Sequence, residues 1–286
     1  MTCAVCGHTS SGSVLLSTFS QGCSDLDFCP PPMARNLFGT EINVCPNCHY
    51  VAYDLSQEVS AETKNFVLTD PAFQEEYSSY SVTAYKNLMH IALFEERYHD
   101  AFAACLKAAW FNEMRGNIHD EFGSCNPAIR IEALELFEKY EDELMFDADT
   151  KLCLKADLLR RTMRFAEAVE FARSSYTTNW DVRCILAYQA YLAEKGDYSR
   201  HSIYSAQQWG GENFYGKKTS ADTDSSGSQE TRLHGSGTSD KTSADDAFMG
   251  DDSEILPDNS SDPVNPDMGK RPPLWSRIFG RIYPRK

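Results

Sequence analysis

Two short cysteine pairs, Cys3-Ala4-Val5-Cys6 and Cys45-Pro46-Asn47-Cys48, have the residue types and spacing best suited to chemistry in this chain. Each pair sets two thiolates about one tight turn apart, so both can grip one ion. Two such pairs supply the four soft ligands of a closed tetrahedral zinc site. Gly7, after the first pair, and Pro46, inside the second, suit the sharp turns that knuckles need. The expectation is one Zn2+ held by Cys3, Cys6, Cys45 and Cys48, closing the stretch of chain between the first and last of them.

The competing reading, ordinary buried or reactive thiols, fits poorly with two matched pairs of this kind. A redox dithiol normally opens a helix after a strand, and neither pair has that setting. His8 and His49 flank the pairs and are expected to be exposed, because four thiolates already complete the shell. Cys23 and Cys29 have no matching pair and read as incidental. Cys105, Cys153 and Cys184 fall on apolar helical stripes and read as core, while Cys125 is unassigned.

Other chemistry is sparse. The chain has no HExxH, no HxE followed by PCxxC, no glycine-rich phosphate loop and no nucleophile elbow. His90, His99, His119, His201 and His234 show no ligand spacing. No catalytic residue and no organic-cofactor site is assigned, and a binding role is preferred over an enzyme.

The formal charge is −15, unevenly spread. Residues 1–56 carry Asp25, Asp27, Glu41 and Asp54 against Arg35 alone, a net of −3. Residues 57–211 and 212–267 each carry −9, while positions 268–286 hold six bases and no acid. Phosphate backbones need clustered Lys and Arg, so the cysteine-rich segment is a poor match for nucleic acid. The N-terminus lacks the basic stretch and apolar run of a signal peptide, and no segment approaches the ~20 apolar residues of a membrane span. A cytoplasmic location with reduced thiols is expected.

The elements that must position the cysteines follow from composition. Residues 1–56, rich in Gly, Ser, Pro and Cys, read as short strands and loops around the metal. From about Phe73 to Ser205, Ala, Leu, Glu, Tyr and Phe recur at helical spacing. Arg97-Tyr98-His99-Asp100-Ala101-Phe102 is echoed later by Arg164-Phe165-Ala166-Glu167-Ala168-Val169, and more weakly by Gly196-Asp197-Tyr198. From Tyr98 to Phe165 is two units of about 34 residues, and from Phe165 to Tyr198 is one, which is the tetratricopeptide period. Tyr98, Ala101, Cys105 and Ala108 fill the second-helix slots of one unit, and Phe165, Ala168, Ala172 and Ser175 those of another. Tyr85, Leu88 and Ala92, then Leu152, Ala156 and Leu159, belong to the first helices. Between them a long helix is expected from Pro127 to about Met145. A plain antiparallel bundle is the alternative.

The fold class is therefore mainly α. A zinc-ribbon-like module (1–56) precedes a tetratricopeptide-like helical-hairpin domain (57–211), a disordered acidic linker (212–269) and a basic amphipathic tail (270–286). In that tail Leu274, Ile278 and Ile282 recur at steps of four beside Trp275 and Phe279, and Arg277, Arg281 and Arg285 keep the same step.

The order CAVCG, SDLDFCPPPMAR, CPNCHYVAYDLS and then such helices resembles a bacterial protein family of unassigned function, over roughly residues 1–205. The resemblance implies a zinc-ribbon-like segment followed by tetratricopeptide-like helices. That family typically has Gly where His49 stands and a non-cysteine residue at Cys29. It implies no activity. The reading is an adaptor that binds an unidentified protein or peptide through its helices, with weak peripheral membrane contact through the tail as a further option. A zinc-ribbon nucleic-acid or transcription-associated factor is the alternative, and a metal-dependent or thiol redox enzyme is the second alternative.

Overall fold

The computed structural model describes residues 1–12, 21–78, 80–115 and 127–214. Among these the chain is mainly helical, with one two-stranded sheet. The N-terminal segment contains a one-turn helix α1 (Pro32–Arg35) and the antiparallel pair β1 (Asn43–Val44) and β2 (Val51–Ala52). There follow α2 (Ala61–Thr69), a 3-10 turn at Pro71–Phe73, α3 (Val82–Phe94), α4 (Tyr98–Arg115), α5 (Pro127–Lys139), α6 (Ala148–Arg161), α7 (Phe165–Ser174), α8 (Trp180–Glu194) and α9 (Ile203–Phe214). Successive helices from α3 to α9 pack on one another, and α6 also packs on α8. No described helix is long and apolar enough to cross a membrane. Past Phe214, the expected acidic linker and basic tail lie outside the described residues, as does Cys125.

Side-chain caps start the helices where the sequence offers an oxygen. Ser60, Ser81 and Asp147 accept from the backbone N–H three residues on, at Thr63, Ala84 and Thr150. The echo in the sequence corresponds to one turn used three times. After α3, α6 and α8 the chain turns through a left-handed residue, Glu96, Met163 and Gly196, with φ of 55°, 63° and 67°. In each turn the next N–H reaches back five residues: Arg97 to Ala92 O at 2.8 Å, Arg164 to Leu159 O at 2.9 Å and Asp197 to Leu192 O at 2.9 Å. The left-handed residue also donates to the carbonyl three back, which completes a Schellman cap. Ala101, Cys105, Ala108, Ala168 and Ala172 are buried on the helices that follow, as their small size requires.

Two stretches depart from the expected pattern. The helix from Pro127 ends at Lys139 rather than near Met145. Tyr140 leaves it to stack on Tyr98, ring centroids 3.9 Å apart, and the Met145 N–H donates to His99 Nδ1 at 3.2 Å. Leu144 and Phe146 then enter the core. After the third turn, α9 starts at Ile203 rather than at Tyr198. Residues 197–202 stay non-helical, and other groups take several of their backbone bonds. Arg160 donates to the carbonyls of Asp197 and Ser199, and Arg161 to that of Tyr198. Leu26 N–H donates to His201 O, Ile203 N–H donates to Ser24 O, and Asp25 pairs with Ser202 as an isolated bridge.

The N-terminal segment thus belongs to the helical core. One apolar cluster runs from Cys3 to Ala206 and takes in Leu26, Phe28, Phe38, Ile42, Tyr50 and Leu55. Within it lies a charge-balanced network that the sequence did not announce: Asp27, Glu113 and Asp157 against Arg130, Arg160 and Arg161. Arg130, 1% exposed, bonds all three carboxylates, including Asp27 Oδ2 at 2.7 Å. Asp27 also accepts from Trp110 Nε1 at 2.7 Å and from the Cys29 N–H at 3.1 Å. Burial opposes charge on Asp27, but the Arg130 and Arg161 guanidiniums outweigh it and hold the carboxyl well below the usual range. A second buried pair, Glu41 and Lys107 at 2.9 Å, ties the segment before β1 to α4, and Tyr85 OH donates to the same carboxylate.

Asp25 is the opposite case. Burial and the Asp27 charge push its pKa up to about 6, despite Arg35 at 2.8 Å, and its Oδ2 has no hydrogen-bond partner among the described residues. A carboxyl raised in the fold contributes stability that is complete below the unfolded value of 3.8 and is lost as pH rises through about 6. Relative to Asp25→Asn, the wild-type chain should therefore gain up to about 3 kcal/mol between pH 7 and pH 4. Chemical denaturation of both proteins at the two pH values measures this. A difference that does not change with pH would refute the reading.

Candidate metal centre

Each cysteine pair sits at the tip of a hairpin, and the two tips share one set of bonds. In the first, Thr2 bridges Thr9, Cys3 N–H donates to His8 O at 2.8 Å, and Gly7 N–H donates to Cys3 O at 2.9 Å. In the second, β1 pairs with β2, Cys45 N–H donates to Tyr50 O at 2.8 Å, and His49 N–H donates to Cys45 O at 2.9 Å. The residue after each pair is left-handed: φ is 74° at Gly7 and 55° at His49. Glycine adopts that conformation freely and other residues rarely do, which accounts for a glycine preference at this place in a knuckle. His49 is held there by outside bonds. Its Nδ1 lies 2.8 Å from Phe73 O, so that nitrogen carries the proton, and its carbonyl accepts from Tyr77 OH.

The two tips bring Cys3, Cys6, Cys45 and Cys48 together, with all four sulfurs within 4.8 Å of one another. Cys3 Sγ lies 3.7 Å from Cys48 Sγ, and Cys6 Sγ lies 3.6 Å from Cys45 Sγ. A tetrahedron with metal–sulfur bonds of about 2.3 Å has edges of about 3.8 Å. The cluster therefore fits a four-coordinate ion, and its four sulfurs leave no position for a substrate. Cys3, Cys45 and Cys48 are buried and Cys6 is half-buried.

The electrostatics suit a cation. Burial raises the Cys3 thiol, although the Cys6 and Val5 N–H groups bond its sulfur, and burial raises Cys48 with added repulsion from Cys3. For Cys6, burial is outweighed by hydrogen bonds from the Asn47 side chain, the His8 N–H and the neighbouring thiols, which bring its pKa down to about 7. Backbone N–H groups aimed at sulfur stabilise thiolates, and a divalent ion would offset the burial that disfavours the Cys3 and Cys48 thiolates.

The remaining expected residues fall into place around this centre. His8 is exposed, whereas His49 is half-buried and spent on its two anchoring bonds. Cys23 and Cys29 do not join the cluster, and burial holds the Cys29 thiol well above its ordinary value. Cys105, Cys153 and Cys184 are core residues. The four cysteines are the one such ligand group among the described residues. The centre is tied to the chain that leads into the helices, through His49 to the 3-10 turn at Phe73 and through Ala4 N–H, which donates to Leu55 O at 2.8 Å.

Ser199, His201 and Asp197 also meet, but both the hydroxyl and the carboxylate contact Nε2, at 3.1 and 2.9 Å. A nucleophilic relay needs them on opposite ring nitrogens, so this trio clasps the 197–202 loop. A polar cleft of about 360 Å³ beside the second knuckle is lined by Thr40, Asn43, Pro46, His49, Glu76 and Tyr77 among others, with no Lys or Arg to hold a phosphate. No family model, curated protein or solved structure matches this chain.

Proposed function

We propose that this protein is a zinc-binding adaptor in which a Zn2+ ion on Cys3, Cys6, Cys45 and Cys48 pins the N-terminal hairpins to a tetratricopeptide-like helical surface that binds a protein or peptide. The observation that carries the reading is the closed, mostly buried sulfur tetrahedron, joined through His49 to the 3-10 turn at Pro71–Phe73. A shell filled by the chain's own ligands holds structure in place and offers no site for turnover. All-sulfur tetrahedra suit zinc or iron, and the bland spectroscopy of zinc separates the two. The helical part supplies exposed apolar contact area: Leu68, Phe94, Ile131 and Met163 are each more than two-fifths exposed.

The nucleic-acid alternative is disfavoured by the net charge of −3 over residues 1–56. Affinity capture with the full chain, against a control carrying Ile131→Glu and Met163→Glu, tests the adaptor reading. A protein retained by the wild type and lost from the control is expected. Retention of nucleic acid that falls steeply with salt, or a turnover activity abolished by a single cysteine substitution, would replace it.

A further inference from the structure

The last helical hairpin carries an aromatic face that the metal centre does not use. Tyr188 and Tyr191 of α8 and Trp209 of α9 form a triangle, with ring centroids 6.2, 5.8 and 5.4 Å apart. Phe214 extends it edge-on to Trp209 at 6.2 Å, with the Arg183 guanidinium 5.9 Å from its ring. Tyr191 is 38% and Phe214 43% exposed, and Tyr188 and Trp209 are half-buried. The hairpin is close-knit: a Cβ on Gly210 would fall 2.3 Å from Cys184 Sγ. Helical stacks normally end on a polar face. Among the described residues the last hairpin ends on these four rings, with Trp180 packed edge-on against Phe214 at 5.4 Å.

We infer that residues 270–286 of the same chain dock on this face. Two features of the sequence fit that occupant. The tail presents Leu274, Trp275, Ile278, Phe279 and Ile282 at the spacing of one helix face, a groove-binding pattern. It also carries six bases and no acid, whereas the hairpin holds Asp181, Glu194 and Glu212 against Arg183 and Lys195, with Glu194 paired to Arg173 and Lys195 Nζ 5.8 Å from the Tyr191 ring. About 55 residues separate Phe214 from Lys270, and a flexible linker of that length would span about 40 Å. The tail therefore reaches the face from its own tether at an effective concentration on the order of 1 mM. Any partner of this face must displace it. The inference does not depend on the metal.

The test uses full-length chains and a labelled peptide of residues 270–286, read by fluorescence anisotropy. Ile278→Asp with Phe279→Asp disables the resident tail and should open the face to the peptide. The wild-type chain, whose own tail competes, should bind the peptide about tenfold or more weakly. Adding Phe214→Glu or Tyr191→Glu to the tail-disabled chain should also weaken binding about tenfold or more. Both residues are exposed, and a thermal melt confirms the fold. Raising salt from low to high should weaken the complex. Failure of the peptide to bind the tail-disabled chain, or binding indifferent to both face substitutions, overturns the inference. So does a dimer that Phe214→Glu dissociates, which makes a second copy the occupant. Co-sedimentation of the wild-type chain with phosphatidylglycerol vesicles, lost on tail substitution but kept on face substitution, overturns it too and makes a membrane the tail's target.

Discussion

Cys45→Ser is expected to empty the metal centre and cost the protein more than about 4 kcal/mol, lowering Tm by about 10 °C or more. Cys45 is fully buried, its sulfur lies 3.6 Å from that of Cys6, and its backbone closes the second knuckle in both directions. A serine hydroxyl is a hard, hard-to-ionise ligand, so three thiolates would remain where four are needed. The helical core should persist, because Asp27 and Glu41 still tie the N-terminal segment to α4 and α5. Elemental analysis of reductively purified protein should fall from about one zinc per chain to near zero, and a strong chelator should reproduce the loss of Tm in the wild type. Unchanged metal content in the variant, or no metal in the wild type, would refute the assignment.

The second large effect belongs to Arg130. Arg130→Met leaves Asp27, Glu113 and Asp157 without the guanidinium that all three share. Removing one partner of a buried ion network costs about 3–5 kcal/mol, because uncompensated charges stay behind. Asp27 is the most sensitive to this loss, being fully buried with its pKa depressed by Arg130 first and Arg161 second among its charge partners. A depressed carboxyl contributes stability that is present above its unfolded value and lost as pH falls. The wild type should therefore lose stability on acidification through the range of unfolded carboxyls, and Arg130→Met should lose less. Asp27→Asn in the Arg130→Met background should recover part of the loss. Denaturant unfolding of the wild type, the two single variants and the double variant forms the cycle, and strictly additive effects would show that the two groups do not act on each other.

The clustering of the four cysteines was legible in the sequence because they come as two self-contained turns. All that a C-x-x-C knuckle needs is local, so Cys3, Cys6, Cys45 and Cys48 could be named from spacing alone. The helices were legible for the same reason, and the repeated echo marks one turn formed at Glu96, Met163 and Gly196. The end of α5 departs from expectation because Tyr140 is a fair helix residue locally and is drawn out by Tyr98 at the start of α4. The buried network left no mark at all. Asp27 and Arg130 are 103 positions apart, and charged residues that pair in the fold look in sequence like any solvated pair. No periodicity marks them. His49 shows the middle case: the knuckle was visible, while its anchoring bond to Phe73 depends on a turn 24 residues further on.

The bridge between Asp25 and Ser202 sets a timetable for synthesis. Residues near the N-terminus leave the ribosome first, yet the groups they pair with leave in the order Trp110, Arg130 and Ser202. At ~5–20 residues per second, the stretch from Asp25 to Ser202 takes roughly 10–35 s to make. The cysteine knuckles are complete once Cys48 has been added, so the proposed zinc ion would find all four sulfurs at once. The loop between them, with its apolar Leu26 and Phe28 and its carboxylates Asp25, Asp27 and Glu41, must wait for the whole helical stack. Early metal capture would keep that waiting stretch short and tethered, which limits the wrong partners it can meet before Ser202 emerges.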